Sequence, residues 1–93
     1  MKQPYLEVTF HHGRPLAAYY YLPRKPGEKS ARTRRVEPGL VVDFAKSGRP
    51  TGIEITTPAK FSLVGLNRVL RELGFSAATR GELAPLMAAL TRQ

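Results

Sequence analysis

Cysteine is absent from this 93-residue sequence, and acidic residues are few. Without cysteine, neither a disulfide nor a thiolate metal site can support the fold. Seven aspartates and glutamates stand against 15 lysines and arginines, which leaves a formal net charge of +8. This balance favours anionic partners over cationic ones.

Long apolar runs are absent as well. No stretch of about 18 apolar residues could cross a bilayer, and residues 1–5 lack the apolar segment of a secretory signal. We therefore predict a cytoplasmic protein that does not contact a membrane. The length predicts a single domain over residues 1–93, which buries roughly 60 to 65% of its unfolded surface. Such a small core is marginal, so a homodimer is the expected source of further stability.

The clearest structural pattern lies between Val36 and Thr57. Glu37-Pro38-Gly39 indicates a turn, because proline presets φ and glycine accepts a positive φ. Residues 40–45 and 52–56 then alternate between apolar and other side chains, separated by a break at 46–51. This spacing predicts an antiparallel hairpin. A symmetric six-residue loop pairs Phe44 with Ile53, Val42 with Ile55, and Asp43 with Glu54.

The other face of this hairpin carries charge. Asp43 and Glu54 would lie side by side, and a two-residue turn at 38–39 would place Arg34 next to Asp43. A bulge in the same strand would change which arginines face the acids. Two interpretations remain: a structural charge cluster of Arg34, Asp43 and Glu54, or a carboxylate pair that shares a proton or holds a divalent cation. No histidine, nucleophile or glycine cradle accompanies the pair, so we favour the structural cluster and expect no enzyme, cofactor or metal.

Two earlier segments also alternate as strands, residues 5–10 and 16–22. The second places Tyr19 and Tyr21 on one face and Tyr20 on the other. Exposed rings beside basic groups are typical of stacking platforms for unpaired bases. Tyrosine is also a common strand residue that packs well when half-buried, which is the alternative.

Residues 23–35 carry a local excess of positive charge with a single acidic residue, Glu28. The first half has the composition of a loop, and the second half is expected to be an edge strand. A flexible basic loop beside an arginine-bearing strand favours a phosphate-binding surface, whereas the alternative is a solvated loop whose charge protects the sheet edge. The candidate nucleic-acid-binding residues are Arg24, Lys25, Lys29, Arg32, Arg34 and Arg35.

The C-terminal third, residues 62–91, predicts two helices. Ser62 is the expected N-cap of the first and Gly74 its C′ residue. The second follows a capping box from Thr79 to Glu82. Its apolar surface exceeds what a small sheet can cover, so we predict that it meets a partner, most simply a second copy. The predicted partner interface consists of Leu83, Leu86, Met87 and Leu90.

Several of these motifs together resemble a widespread bacterial family of small proteins known only as a domain of unknown function. They are the arginine-bearing strand, the turn Val36-Glu37-Pro38-Gly39, the strand Val41-Val42-Asp43-Phe44 and the strand Gly52-Ile53-Glu54-Ile55. The resemblance covers roughly residues 5–57. It implies a small antiparallel sheet with a packed helix, and genes that often lie beside toxin-like genes, but no catalytic residues. The chain departs from the family in its strongly basic charge and its long helical tail.

The resulting prediction is an α+β domain: an antiparallel meander of about five strands over residues 1–57, followed by two C-terminal helices. For function we favour a non-enzymatic binding module that contacts a polyanion such as nucleic acid. The alternative is an antitoxin-like regulator that binds a small protein partner and dimerises.

Overall fold

The structure, a computed structural model, describes residues 3–91. Five strands are followed by a short 3-10 helix at Pro58–Lys60 and two α-helices. The predicted α+β class is confirmed, since an antiparallel five-stranded sheet precedes two C-terminal helices. The strands are β1 (Tyr5–His11), β2 (Arg14–Tyr21), β3 (Ser30–Glu37), β4 (Leu40–Ala45) and β5 (Pro50–Ile55), and the helices are α1 (Leu63–Glu72) and α2 (Ala84–Thr91).

The strands do not follow one another across the sheet as in a simple meander. Their order is β1-β2-β5-β4-β3, so β5 lies in the middle and β3 at an edge. The central strands bury side chains such as Tyr20 and Ile53, whereas β3 is exposed along residues 30–35. Arginines are tolerated at an edge, where they can reach water and discourage further strand pairing. The connection at residues 22–29 therefore crosses the end of the sheet to reach β3.

The predicted β4–β5 hairpin is present, but its register is two residues away from the predicted one. Val42 pairs with Ile53, and Asp43 pairs with Gly52 rather than Glu54. The turn is tighter than expected, because the Ala45 amide donates to the Arg49 carbonyl at 2.8 Å and a bulge follows Asp43. A shift of two residues preserves which face each side chain occupies, so the apolar side chains still share one face.

Both helices pack on that apolar face of the sheet. The caps of α1 are as predicted: the Gly65 amide donates to Ser62 Oγ at 3.1 Å, and Gly74 has a φ of +86°. The Phe75 amide donates to the Leu70 carbonyl at 2.9 Å, which completes a Schellman motif. The core they enclose includes Ala18, Tyr20, Leu22, Leu40, Val42, Ile53, Ile55, Leu66, Val69, Leu70, Leu83 and Leu86.

The predicted capping box before α2 is also present. The Glu82 amide donates to Thr79 Oγ1 at 3.1 Å, and the Thr79 amide donates to Glu82 Oε1 at 2.9 Å. These bonds close a separate turn, and the helix itself begins only at Ala84.

The predicted partner interface around α2 is wrong for two of its four residues, Leu83 and Leu86. Leu83 and Leu86 are 0% exposed, and Met87 and Leu90 pack partly buried against the same core. The helix lies against β2 of its own chain, which covers much of the apolar surface for which a partner was predicted. The homodimer, which was also expected from the small size of the core, therefore stays a prediction without an assigned interface. Within residues 3–91, no helix is both long and apolar enough to cross a membrane.

Candidate functional site

The six basic residues singled out in the sequence lie along one end and one edge of the sheet. Arg24, Lys25 and Lys29 belong to the crossing loop, and the three arginines belong to β3. The loop is ordered by its own hydrogen bonds. The Glu28 amide donates to the Lys25 carbonyl at 3.1 Å, and Arg24 Nη1 donates to the Glu28 carbonyl at 3.3 Å. The loop cations are thus held next to the start of β3.

Two further cations join this region and were missed in the sequence. Lys46 and Arg49 lie in the β4–β5 turn, which reaches the crossing loop because Ser30 pairs with Ala45. Lys29 and Lys46 line the same surface pocket. Arg49 Nε lies 3.9 Å from Glu28 Oε1, a long contact between partly exposed groups that contributes little to stability. Only the pairing of β3 with β4 could have revealed these two residues.

We call the combined surface the basic edge. Its two segments, residues 24–35 and 46–49, contain one acidic residue, Glu28, whose carboxylate accepts a hydrogen bond from the Lys25 amide and approaches Arg49. The basic edge comprises Arg24, Lys25, Lys29, Arg32, Arg34, Arg35, Lys46 and Arg49.

Two arginines of the basic edge rest on an aromatic ring. The guanidinium carbons of Arg32 and Arg34 lie 5.9 and 5.2 Å from the centroid of the Phe44 ring. Contacts of this kind attract the cation to the ring face and narrow the directions in which the guanidinium can point. Both side chains nevertheless remain exposed.

The structure does not place Arg34 beside Asp43. A bulge between Arg35 and Glu37 shifts β3 by one residue, so Arg34 pairs with Val42 and Thr33 pairs with Asp43. A shift of one residue moves each side chain to the opposite face. Arg34 therefore points to the helix side, and the predicted charge cluster is wrong.

Asp43 instead has a tyrosine partner. The Tyr19 hydroxyl donates to Asp43 Oδ2 across the intervening strand β5. Burial, followed by the hydrogen bond to Asp43 and its charge, raises the pKa of Tyr19 well above its usual range. Glu54 is exposed and lies diagonally from Asp43, at a Cα separation of about 7 to 8 Å. The directly opposed carboxylate pair predicted for acid–base or cation chemistry is therefore not formed.

The tyrosines divide between the two faces as predicted. Tyr20 points into the core, where its hydroxyl donates to Glu82 Oε2 at 3.3 Å, and burial raises its pKa to about 12. Tyr19 and Tyr21 lie on the face away from the helices, which we call the open face. There the Tyr21 ring stacks on Tyr5 with centroids 4.4 Å apart and planes 14° from parallel.

Two adjacent histidines, His11 and His12, lie at the β1–β2 turn, at the opposite end of these strands from the tyrosine rings. Both side chains are exposed, and their rings contact each other edge to face with centroids 4.1 Å apart. Across residues 3–91 there is no group of three or more histidine, aspartate or glutamate side chains placed to hold a metal ion.

Comparison of the chain with protein-family models, with curated proteins and with solved structures found no match. The resemblance to the bacterial family therefore stays a prediction.

Proposed function

We propose that this protein is a non-enzymatic binding module that contacts a polyanion, most simply nucleic acid, through the basic edge. The observation that carries the proposal is the convergence of two separate segments. The fold adds Lys46 and Arg49 to the six cations of residues 24–35, and these eight share their surface with Glu28. They are just over half of the 15 lysines and arginines in the chain.

The arrangement suits a repeating anion. Arg32 and Arg34 project from the same side of one strand, about 6.6 to 6.8 Å apart along it. The Phe44 ring beneath them restricts both guanidinium groups before any ligand arrives. Ordering side chains in advance lowers the entropy cost of binding. Arginine also presents a planar set of donors that matches phosphate oxygens.

Such a surface recognises the phosphate charge of a nucleic acid rather than its base sequence. Phosphate contacts release condensed counterions, so affinity falls as salt rises, with a log-log slope of roughly −0.9 per contact on duplex DNA. The cations of the basic edge come from a loop, a strand and a turn. None of the described ones lies on a helix that could insert into the major groove and contact base edges. We therefore expect weak sequence preference and strong salt dependence.

Titration with short single-stranded RNA and duplex DNA at several salt concentrations tests the proposal. An edge variant, R32Q/R34Q/K46Q, removes three charges from the basic edge. A matched control, R14Q/K60Q/R80Q, removes three charges from exposed positions elsewhere. We expect the edge variant to bind at least tenfold more weakly at low salt, with a slope flatter by roughly 2 to 3, and the control to stay close to the parent protein.

Two results would contradict the proposal. Equal losses in both variants would mean that net charge alone drives binding and that the basic edge is no site. Absence of binding by the parent protein at low salt would reject polyanion binding altogether.

The antitoxin-like alternative stays a prediction from the family resemblance. It also depended on a free apolar surface around α2, and Leu83 and Leu86 of that surface are buried within the chain. We therefore propose no protein partner.

A further inference from the structure

We propose that Tyr5 is a stacking platform for an unpaired base, which makes single-stranded nucleic acid the ligand class of the basic edge. This inference rests on the proposed function, because the basic edge would hold the phosphates that follow the stacked base. It assigns a role to the open face of the sheet, which the polyanion proposal leaves unused.

The first observation is a cluster of planar side chains, Tyr5, Tyr21, Tyr19 and Arg24, in which Tyr5 is the outermost; we call this cluster the pile. Tyr5 and Tyr21 are direct cross-strand partners, and their rings are stacked. On its other sides Tyr21 is enclosed by Tyr19, whose ring centroid is 4.6 Å away, and by Arg24, whose guanidinium carbon is 5.5 Å from the Tyr21 centroid. Tyr21 is therefore half-buried between Tyr5, Tyr19 and Arg24, and Tyr5 is the outermost ring.

The second observation is the exposure of that outermost ring. Tyr5 is 48% exposed although one of its faces is covered by Tyr21. It stands on β1, which is an edge strand, and among residues 3–91 no further strand pairs beyond it. The ring is nearly parallel to Tyr21, so its second face points outward past the edge. That face can accept one more flat group.

The pile is also held in place before a ligand arrives. The Tyr21 hydroxyl donates to Glu7 Oε1 at 3.1 Å, which anchors the ring against which Tyr5 stacks. A rigid aromatic face with its neighbour already stacked loses little freedom on binding. Base stacking on such a ring is sequence-tolerant, since every base has a π-face.

The third observation is that the pile and the basic edge share one end of the sheet. Tyr5, Tyr21, the loop at residues 22–29 and the turn at residues 46–49 all lie there, because Tyr5 pairs with Tyr21 and Ser30 pairs with Ala45. Four strand spacings separate β1 from β3, which is about 19 Å. Loop cations such as Arg24 and Lys29 lie between them. A strand of a few nucleotides can therefore start on Tyr5 and follow the loop cations along this end of the sheet as far as β3, whose Arg32 and Arg34 project to the helix side.

This geometry selects against a duplex. The bases of a duplex are stacked on each other and cannot reach a ring on a protein surface, whereas single strands present unstacked bases. The platform contacts only the base face, so RNA and DNA strands are expected to bind alike.

The test compares three ligands of equal charge or nearly so: a short single-stranded oligonucleotide, an abasic oligonucleotide of the same length, and inorganic polyphosphate. The parent protein is compared with Y5A and with Y5F, which keeps the ring. The chain has four tyrosines and no tryptophan, so quenching of tyrosine fluorescence by a stacked base can be followed directly.

We expect the parent protein and Y5F to bind the normal oligonucleotide about tenfold more tightly than the abasic one, with quenching. Y5A should lose that preference but keep its affinity for polyphosphate and its salt slope. Equal binding of normal and abasic strands by the parent protein would overturn the platform while leaving the basic edge intact, and this arm does not depend on any variant folding. Failure of the parent protein to bind any of the three ligands would instead overturn the proposed function.

Discussion

The ring of Tyr19 lies directly on Gly52. Tyr19 belongs to β2 and Gly52 to the neighbouring strand β5, and the ring leans across the bare backbone so that its hydroxyl reaches Asp43 on β4. A Cβ at position 52 would lie 2.5 Å from Tyr19 Cζ, closer than carbon atoms can approach. The glycine in this strand is therefore required by the side chain that crosses it, and one tyrosine ties three strands together on the open face.

G52A is expected to destabilise the protein by about 1 to 3 kcal/mol, because the added methyl group must displace the Tyr19 ring and its bond to Asp43. Urea unfolding measures the loss. In a Y19A background the ring is gone, so the same substitution should cost much less. Equal costs in the two backgrounds would show that the ring is not what excludes the methyl group.

L86A is expected to cost about 2 to 5 kcal/mol of unfolding free energy, since Leu86 is fully buried against the sheet of its own chain. V64A serves as its control, because Val64 on α1 is 70% exposed and its truncation should change stability by under about 0.5 kcal/mol. Light scattering on the same samples reports molecular mass. If L86A changed the molecular mass in solution with little loss of stability, the result would support a partner interface at Leu86.

Stability should fall in alkaline solution as the buried tyrosines lose their protons. Tyr20 has its pKa raised to about 12 in the folded protein, by burial and then by Glu82, against about 10 when unfolded. The stabilisation from its neutral form is complete below about pH 10 and is lost as pH rises towards about 12. Y20F should therefore show a shallower decline of unfolding free energy over this window. Parallel declines would mean that Tyr20 does not contribute.

E28Q is expected to strengthen polyanion binding about two- to threefold at low salt, the size of a screened surface charge effect. Glu28 lies among the cations of the basic edge, where its carboxylate accepts a bond from the Lys25 amide at 3.3 Å and approaches Arg49. E72Q is the matched control, since Glu72 is exposed on α1 and is not a residue of the basic edge. A similar gain in E72Q would trace the effect to net charge, and a loss in E28Q would show that Glu28 orders the loop for binding.

Local sequence patterns predicted most of the secondary-structure elements. Alternation located four of the five strands, and the edge strand β3 was expected from its place after the basic loop. Short-range chemistry located both helices, because caps such as Ser62 and Gly74 act within a few residues of themselves. The division of the tyrosines between core and open face followed from the same period of two. These features depend on neighbours in the chain, so the sequence by itself determined them.

Pairing between distant segments decided the rest. The bulge at Val36 and the tight turn after Ala45 moved Arg34 and Glu54 away from Asp43, and each is a local backbone irregularity that alternation does not predict. The insertion of β5 beside β2 brought Tyr19 over Gly52.

The burial of Leu83 and Leu86, and the arrival of Lys46 and Arg49 at the basic edge, also came only with the tertiary structure. Amino-acid composition gives the number of apolar and charged side chains, but it does not determine which helices and strands bury them. Strand order and register make that decision, because they place residues far apart in sequence within a few ångströms of each other.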